Sequence, residues 1–147
     1  MAINQNVLIV EDDDVYRDLL RIIFQAEGWM VIEAENGEDA LHRLDLGYFP
    51  ALIVTDLNMP ELDGVALIEA LESRGRFAST PVVICSSREL SMEEQRRVDD
   101  QAIAYLRKNE LTPQRLAYEI QQIISTLGLP HRRAGVSPQT QKAARAG

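Results

Sequence analysis

One cysteine, Cys85, is all that this 147-residue chain carries, and it stands inside an apolar run. That excludes an internal disulfide framework and suits a reducing compartment. No apolar run reaches the roughly 18 residues needed to cross a bilayer. The N-terminus, Met1-Ala2-Ile3-Asn4-Gln5-Asn6, lacks the basic start and separate apolar segment of an export signal, so a cytoplasmic location is expected. A basic stripe is also missing. All 23 acidic residues fall within residues 1–127, whereas four of the 15 basic ones, Arg132, Arg133, Lys142 and Arg145, lie beyond. The acidic body argues against direct binding of nucleic acid.

What is present suffices for one domain and an appendage, at 46% hydrophobic and 26% charged residues. Short apolar runs alternate with amphipathic stretches. Strands are expected at Val7–Val10, Met30–Ile32, Ala51–Thr55, Pro81–Cys85 and Ile103–Leu106. Between them, Val15, Leu19, Ile22, Ile23 and Ala26 recur at helical spacing up to Gly28. Ala40, Leu41 and Leu44 follow the Asn36-Gly37 turn, and Val65, Leu67, Ile68 and Leu71 end before Gly75. Ser91 and Glu94 have the spacing of a capping box, and Thr112-Pro113 opens a last helix faced by Leu116, Ile120, Ile123, Ile124 and Leu127. Five strands alternating with five helices predict an α/β fold, a doubly wound five-stranded parallel sheet of flavodoxin-like order 2-1-3-4-5. Residues 128–147 lack apolar periodicity and are expected to form a disordered basic tail.

In such a sheet the chemistry gathers at the carboxyl ends of the strands. Glu11-Asp12-Asp13-Asp14 follow the first strand, Asp56 the third, Ser86 the fourth and Lys108 the fifth. Glu11 to Asp14 also suit the start of a helix, where negative charge meets the helix dipole, and Asp13 and Asp14 fit that role alone. Glu11 and Asp12 beside Asp56 form instead a carboxylate cluster that a hard divalent cation relieves. Mg²⁺ fits, because it takes one or two carboxylates, keeps several waters and bridges to phosphate. Lys108 brings a point charge on a long stem, and Ser86 a hydroxyl.

These motifs, Val10-Glu11-Asp12, Asp56-Leu57-Asn58-Met59-Pro60 with Asp63-Gly64, Ser86, and Tyr105-Leu106-Arg107-Lys108, resemble those of the CheY-like receiver domains of two-component response regulators. The likeness runs over residues 6–127. Ser86, Tyr105 and Lys108 follow Asp56 by 30, 49 and 52 residues, in the family's register. The resemblance implies that Asp56 takes a phosphoryl group from a phosphohistidine on a histidine kinase or histidine phosphotransfer protein. It implies that Asp12, Asp56 and the backbone carbonyl of Asn58 hold Mg²⁺ (or Mn²⁺), with Glu11 acting through a water. Lys108 and the metal would neutralise the transferring group. Ser86 would then shift to the phosphate and Tyr105 turn inward, reshaping the face of helix four, strand five and helix five for an output protein. A monomer or a phosphorylation-dependent dimer is compatible with that face.

Three departures stand out. Lys108 is followed by Asn109 where the family has proline, and a non-proline cis bond costs about 3 kcal/mol, so a trans bond, or a strained one, and a somewhat different lysine loop are expected. Ser87 and Arg88 follow Ser86, and with Asn58 they border the water route to the phosphate and should set its lifetime. Gln101-Ala102 replaces Gly-Ala before strand five, so the exit of helix four should differ. The leading expectation is a single-domain receiver, residues 1–127, that is no enzyme beyond its own phosphorylation and dephosphorylation. The alternatives are the receiver part of a longer DNA-binding regulator or enzyme, and an unphosphorylated pseudo-receiver that only binds partners. A phosphohydrolase would need an acid-base residue near Asp56, and Leu57-Asn58 offers none.

Overall fold

Runs of Val, Ile and Leu with no polar interruption can be buried on both faces, and three strands of this sheet are. The computed structural model describes residues 4–129. The strands are β1 (Asn6–Val10), β2 (Met30–Ala34), β3 (Leu52–Thr55), β4 (Val82–Ser86) and β5 (Ala102–Arg107). All pair in parallel, in the order β2-β1-β3-β4-β5. The helices are α1 (Asp14–Ala26), α2 (Gly37–Asp45), α3 (Gly64–Ser73), α4 (Met92–Val98) and α5 (Pro113–Thr126). The expected fold class and strand order are those observed, and strand limits differ by one or two residues. Of the tail expected at 128–147, residues 130–147 lie outside the described residues.

Side chains alternate across the sheet, so β1, β3 and β4 feed two cores. Leu8, Val10, Ile53 and Ile84 face α2, α3 and α4 and meet Leu44, Ile68 and Val98. Val7, Ile9, Val54 and Val83 face α1 and α5 and meet Phe24, Leu116 and Ile120. Burying a Leu or Phe side chain contributes about 1.5–3 kcal/mol, so these two layers carry most of the stability.

One expected helix face is corrected. Val15 is 79% exposed and Ile22 56%, while the buried stripe of α1 is Leu20, Ile23 and Phe24, with Tyr16 and Leu19 half-buried. Positions 15 and 22 lie two turns apart on one side of the helix, turned away from the sheet, whereas 16, 20, 23 and 24 share the opposite stripe. The other helix starts follow the expected chemistry. Ser91 and Glu94 form the capping box, Thr112 caps α5 with Pro113 in its first turn, and Asp13 caps α1.

Gln101 anchors the exit of α4. Gln101 is buried, and its side-chain amide donates to the carbonyls of Phe77 at 2.7 Å and Thr80 at 3.0 Å. It thereby ties the end of a seven-residue α4 to the turn before β4. Where β5 leaves that anchor its register against β4 slips by one residue, which turns Ile103 outward.

Candidate functional site

Strand order brings the ends of β1 and β3 side by side, because β1 pairs with β3 through Val10 opposite Thr55. Asp56 extends that ladder by one bond, its N–H donating to Val10 O at 3.1 Å. Its carboxylate is then turned by its own loop. Oδ1 accepts from the backbone N–H of Leu57 at 2.6 Å and of Asn58 at 3.4 Å. The loop beyond is held close by α3, since Gly64 donates to Leu57 O at 3.0 Å. A Cβ on Gly64 would stand 2.2 Å from the Asp56 carbonyl oxygen, so only glycine permits this approach.

Glu11 is 1% exposed, with Oε2 accepting from Asp13 N–H at 3.2 Å. Lys108, at the end of β5, donates from Nζ to Glu11 Oε1 and to Asp56 Oδ2, the latter at 3.1 Å. The carboxylate oxygens of Glu11, Asp12 and Asp56 fall within 4.8 Å of one another, with Asp12 exposed at the rim. Burial pushes the Glu11 carboxyl up to about 7 despite the opposing pull of Lys108. Burial alone would lower the Lys108 ammonium, but Glu11 and Asp56 together outweigh it and raise it. Three carboxyls thus stand around one lysine. Three such oxygens suit a hard divalent cation.

Ser86 is buried at the end of β4, and its Oγ accepts from Arg88 N–H at 3.2 Å. Its hydroxyl is thus engaged by its own loop. Ser87 is exposed. Arg88 makes a bridge that residue types alone did not reveal. Its Nε donates to Asn58 Oδ1 at 2.9 Å, and NH1 to Glu94 at 2.9 and 3.1 Å. The loop after β3 is so tied to the first turn of α4. Tyr105 is half-buried against the α3–α4 core, and its hydroxyl is buried with no hydrogen-bond partner among the described residues. The Lys108–Asn109 bond is trans, as expected, since the described residues hold no cis peptide.

Two contributors escaped the sequence reading. Arg17 donates from NH1 to Glu11 O at 2.7 Å, bracing the end of β1. The Tyr16 ring lies under Lys108, with Nζ 4.4 Å from its centroid. The only available signal was that both stand in the turn of α1 that follows the acids.

A fold with this order and this cluster at its switch point defines a class, and the comparisons name it. The sequence profile of the response regulator receiver domain matches residues 7–121, and the chain belongs to that family of two-component signalling domains. It is 37% identical over 117 residues, 80% of its length, to the gliding motility regulatory protein of Myxococcus xanthus, and 38% identical over 87 residues, 59% of its length, to the regulator of RpoS of Escherichia coli K12. It spans only 15% and 25% of those two relatives' own lengths. Among solved structures it is similar to the signal receiver domain of a signal transduction histidine kinase from Syntrophus aciditrophicus. That match has a TM-score of 0.69 and 27% identity, covering 83% of this chain and 91% of the other. No helix among the described residues is long and apolar enough to cross a membrane.

Proposed function

We propose that the chain is a phosphoacceptor switch in which Asp56 receives a phosphoryl group from the phosphohistidine of a histidine kinase or phosphotransfer protein. The observation that carries this is Lys108 Nζ bridging Asp56 Oδ2 and buried Glu11, with Asp12 alongside. Oδ1, pinned by two backbone N–H groups, fixes the carboxylate plane and leaves Oδ2 to face the phosphorus. An O–P bond forms at Asp56 as the P–N bond to the donor imidazole breaks. Lys108 stands where charge develops on the transferring oxygens, so little reorganisation is needed. Glu11, Asp12, Asp56 and the Asn58 carbonyl would hold Mg²⁺ (or Mn²⁺), which supplies further charge neutralisation when bound.

Switching then falls to Ser86 and Tyr105. To bond the phosphoryl group, Ser86 Oγ gives up the Arg88 N–H, and the loop moves with it. Tyr105 keeps a buried hydroxyl without a partner, and such a group gains by moving to where it finds one. The face of α4, β5 and α5 changes in consequence, and an output protein in the cytoplasm reads it. Asn58, Ser87 and Arg88 set the phosphoryl lifetime, with Arg88 and Asn58 locked together over the approach to Asp56. In this reading residues 1–127 are a receiver sufficient for the chemistry. The short span against the two curated relatives equally suits the receiver part of a longer regulator.

Intact-mass measurement after incubation with acetyl phosphate tests the reading. One phosphoryl adduct is expected with Mg²⁺, and none in EDTA or in Asp56→Asn. An adduct that persists in Asp56→Asn overturns the assignment, and no adduct in any arm makes the chain a pseudo-receiver.

A further inference from the structure

Lys108 hangs on a flexible four-carbon stem, yet the role assigned to it requires Nζ at one place. Two of its three N–H directions are fixed by Glu11 and Asp56. What limits it on the remaining side is the Tyr16 ring, whose centroid lies 4.4 Å from Nζ. An ammonium at that distance from an aromatic face is attracted by the ring quadrupole. The ring is itself held from two elements. Its backbone belongs to the first turn of α1, where Tyr16 N–H donates to the Asp13 cap at 3.4 Å. Its hydroxyl accepts from the thiol of Cys85, within β4, at 3.6 Å. Cys85 is fully buried, so that end of the ring cannot swing into solvent.

We infer that Tyr16 is a positioning residue for phosphoryl transfer, its ring forming the wall that holds the Lys108 ammonium over Asp56. This rests on the reading of Asp56 as phosphoacceptor. The ring touches no reacting atom and acts only through Lys108. Its position also gives Cys85 a purpose that a lone buried thiol does not have, since β4 thereby braces a side chain of α1 across the pocket. The device suits a chain whose lysine is followed by Asn109, because the stem gets its restraint from the pocket's side instead of from a proline in its own loop.

The test compares wild type, Tyr16→Phe, Tyr16→Leu and Asp56→Asn at saturating Mg²⁺. The phosphorylation rate with phosphoramidate is read by intact mass, and the Lys108 Hε resonances by NMR. Tyr16→Leu is expected to react about tenfold more slowly and to lose the upfield ring-current displacement of Lys108 Hε. Tyr16→Phe keeps the ring face but loses the Cys85 bond, so it is expected to fall between wild type and Tyr16→Leu in rate and to keep part of the displacement. Mg²⁺ affinity, measured by calorimetry, is expected to be equal in wild type and both Tyr16 variants. Equal rates for wild type and Tyr16→Leu, or a normal Lys108 shift in wild type, overturn the role of Tyr16 while leaving Asp56 in place. A wild type that takes no phosphoryl group, or an adduct in Asp56→Asn, overturns the site reading and this inference with it. Should Tyr16→Leu fail to fold, Cys85→Ala replaces it: the unbraced ring should broaden or shift the Lys108 resonances, and unchanged resonances and rate refute the proposal.

Discussion

Replacing Lys108 by methionine keeps the length of the stem and removes the charge between two buried carboxylates. Nζ lies 3.1 Å from Asp56 Oδ2 and is also bonded to Glu11, whose side chain is 1% exposed. At an effective dielectric constant of about 20, two unit charges at that distance attract by about 5 kcal/mol. Removing one partner of a buried pair costs about 3–5 kcal/mol in practice, because the other is left uncompensated. Glu11 limits that loss, since it can take up a proton. With Lys108 present its carboxyl is already raised by burial to about 7, and without Lys108 it rises further. A carboxyl raised on folding stabilises the fold below its unfolded value near 4.5, and that contribution disappears as pH rises through 7. Below about 7 both proteins carry a protonated Glu11, and the difference between them is constant. Above it, wild type is ionised while the variant still holds the proton, so the loss grows by about 1.4 kcal/mol per pH unit. Urea unfolding in EDTA, followed by fluorescence of Trp29, should therefore give a loss of about 3 kcal/mol at pH 6 and about 4 kcal/mol at pH 8. A loss below about 1 kcal/mol, or one identical at the two pH values, would refute the claim that Lys108 neutralises this pocket.

Other perturbations address the frame around the site. Gly64→Ala places a Cβ 2.2 Å from the Asp56 carbonyl oxygen and 2.9 Å from Leu57 Cα, both backbone, so α3 must move away. A destabilisation of about 1–3 kcal/mol and slower phosphorylation are expected from urea titration and intact mass. Glu61 adopts φ 69°, at the centre of a tight turn closed by Leu62 N–H to Pro60 O at 2.8 Å. Glu61→Gly relieves that strain and should stabilise the protein by about 1 kcal/mol in the same titration. Arg88 holds the Glu94 carboxyl down to about 2. A depressed acid stabilises above its unfolded value near 4.5 and loses that contribution as pH falls toward 2. The pair lies near the surface, so Arg88→Met should cost only about 0.5–1 kcal/mol at pH 7, shrinking toward zero as pH falls to about 2.

The sheet was legible because its central strands are unbroken apolar runs, each ended abruptly by an acid, a serine or a turn. The same property made the acid cluster legible: once β1 and β3 are neighbours, Glu11 and Asp56 have to meet. Lys108 and Ser86 followed from their places at the ends of β5 and β4. The α1 face was miscounted because Val15 and Ile22 continue an apolar periodicity that the helix does not use, while Phe24 and Leu20 supply the real stripe. Tyr16 passed unnoticed for a different reason. Its meaning lies in what faces it, the end of a strand 92 positions later, and no local pattern encodes that. Arg88 was placed at the mouth of the site by its distance from Ser86. That it joins Asn58 to Glu94 depends on rotamers and on the capping box, whose glutamate serves two partners at once.

The central claim is that one carboxylate, at Asp56, carries the phosphoryl group. Its most direct measurement is borohydride reduction of the protein after phosphorylation by phosphoramidate with Mg²⁺, followed by peptide mass spectrometry. Reduction turns an aspartyl phosphate into homoserine, which marks the modified residue permanently. The account predicts homoserine at position 56 and at none of Asp12, Asp13, Asp14 or Asp63. Homoserine at any of those four, or unmodified aspartate at position 56 in protein shown to carry the adduct, would contradict it.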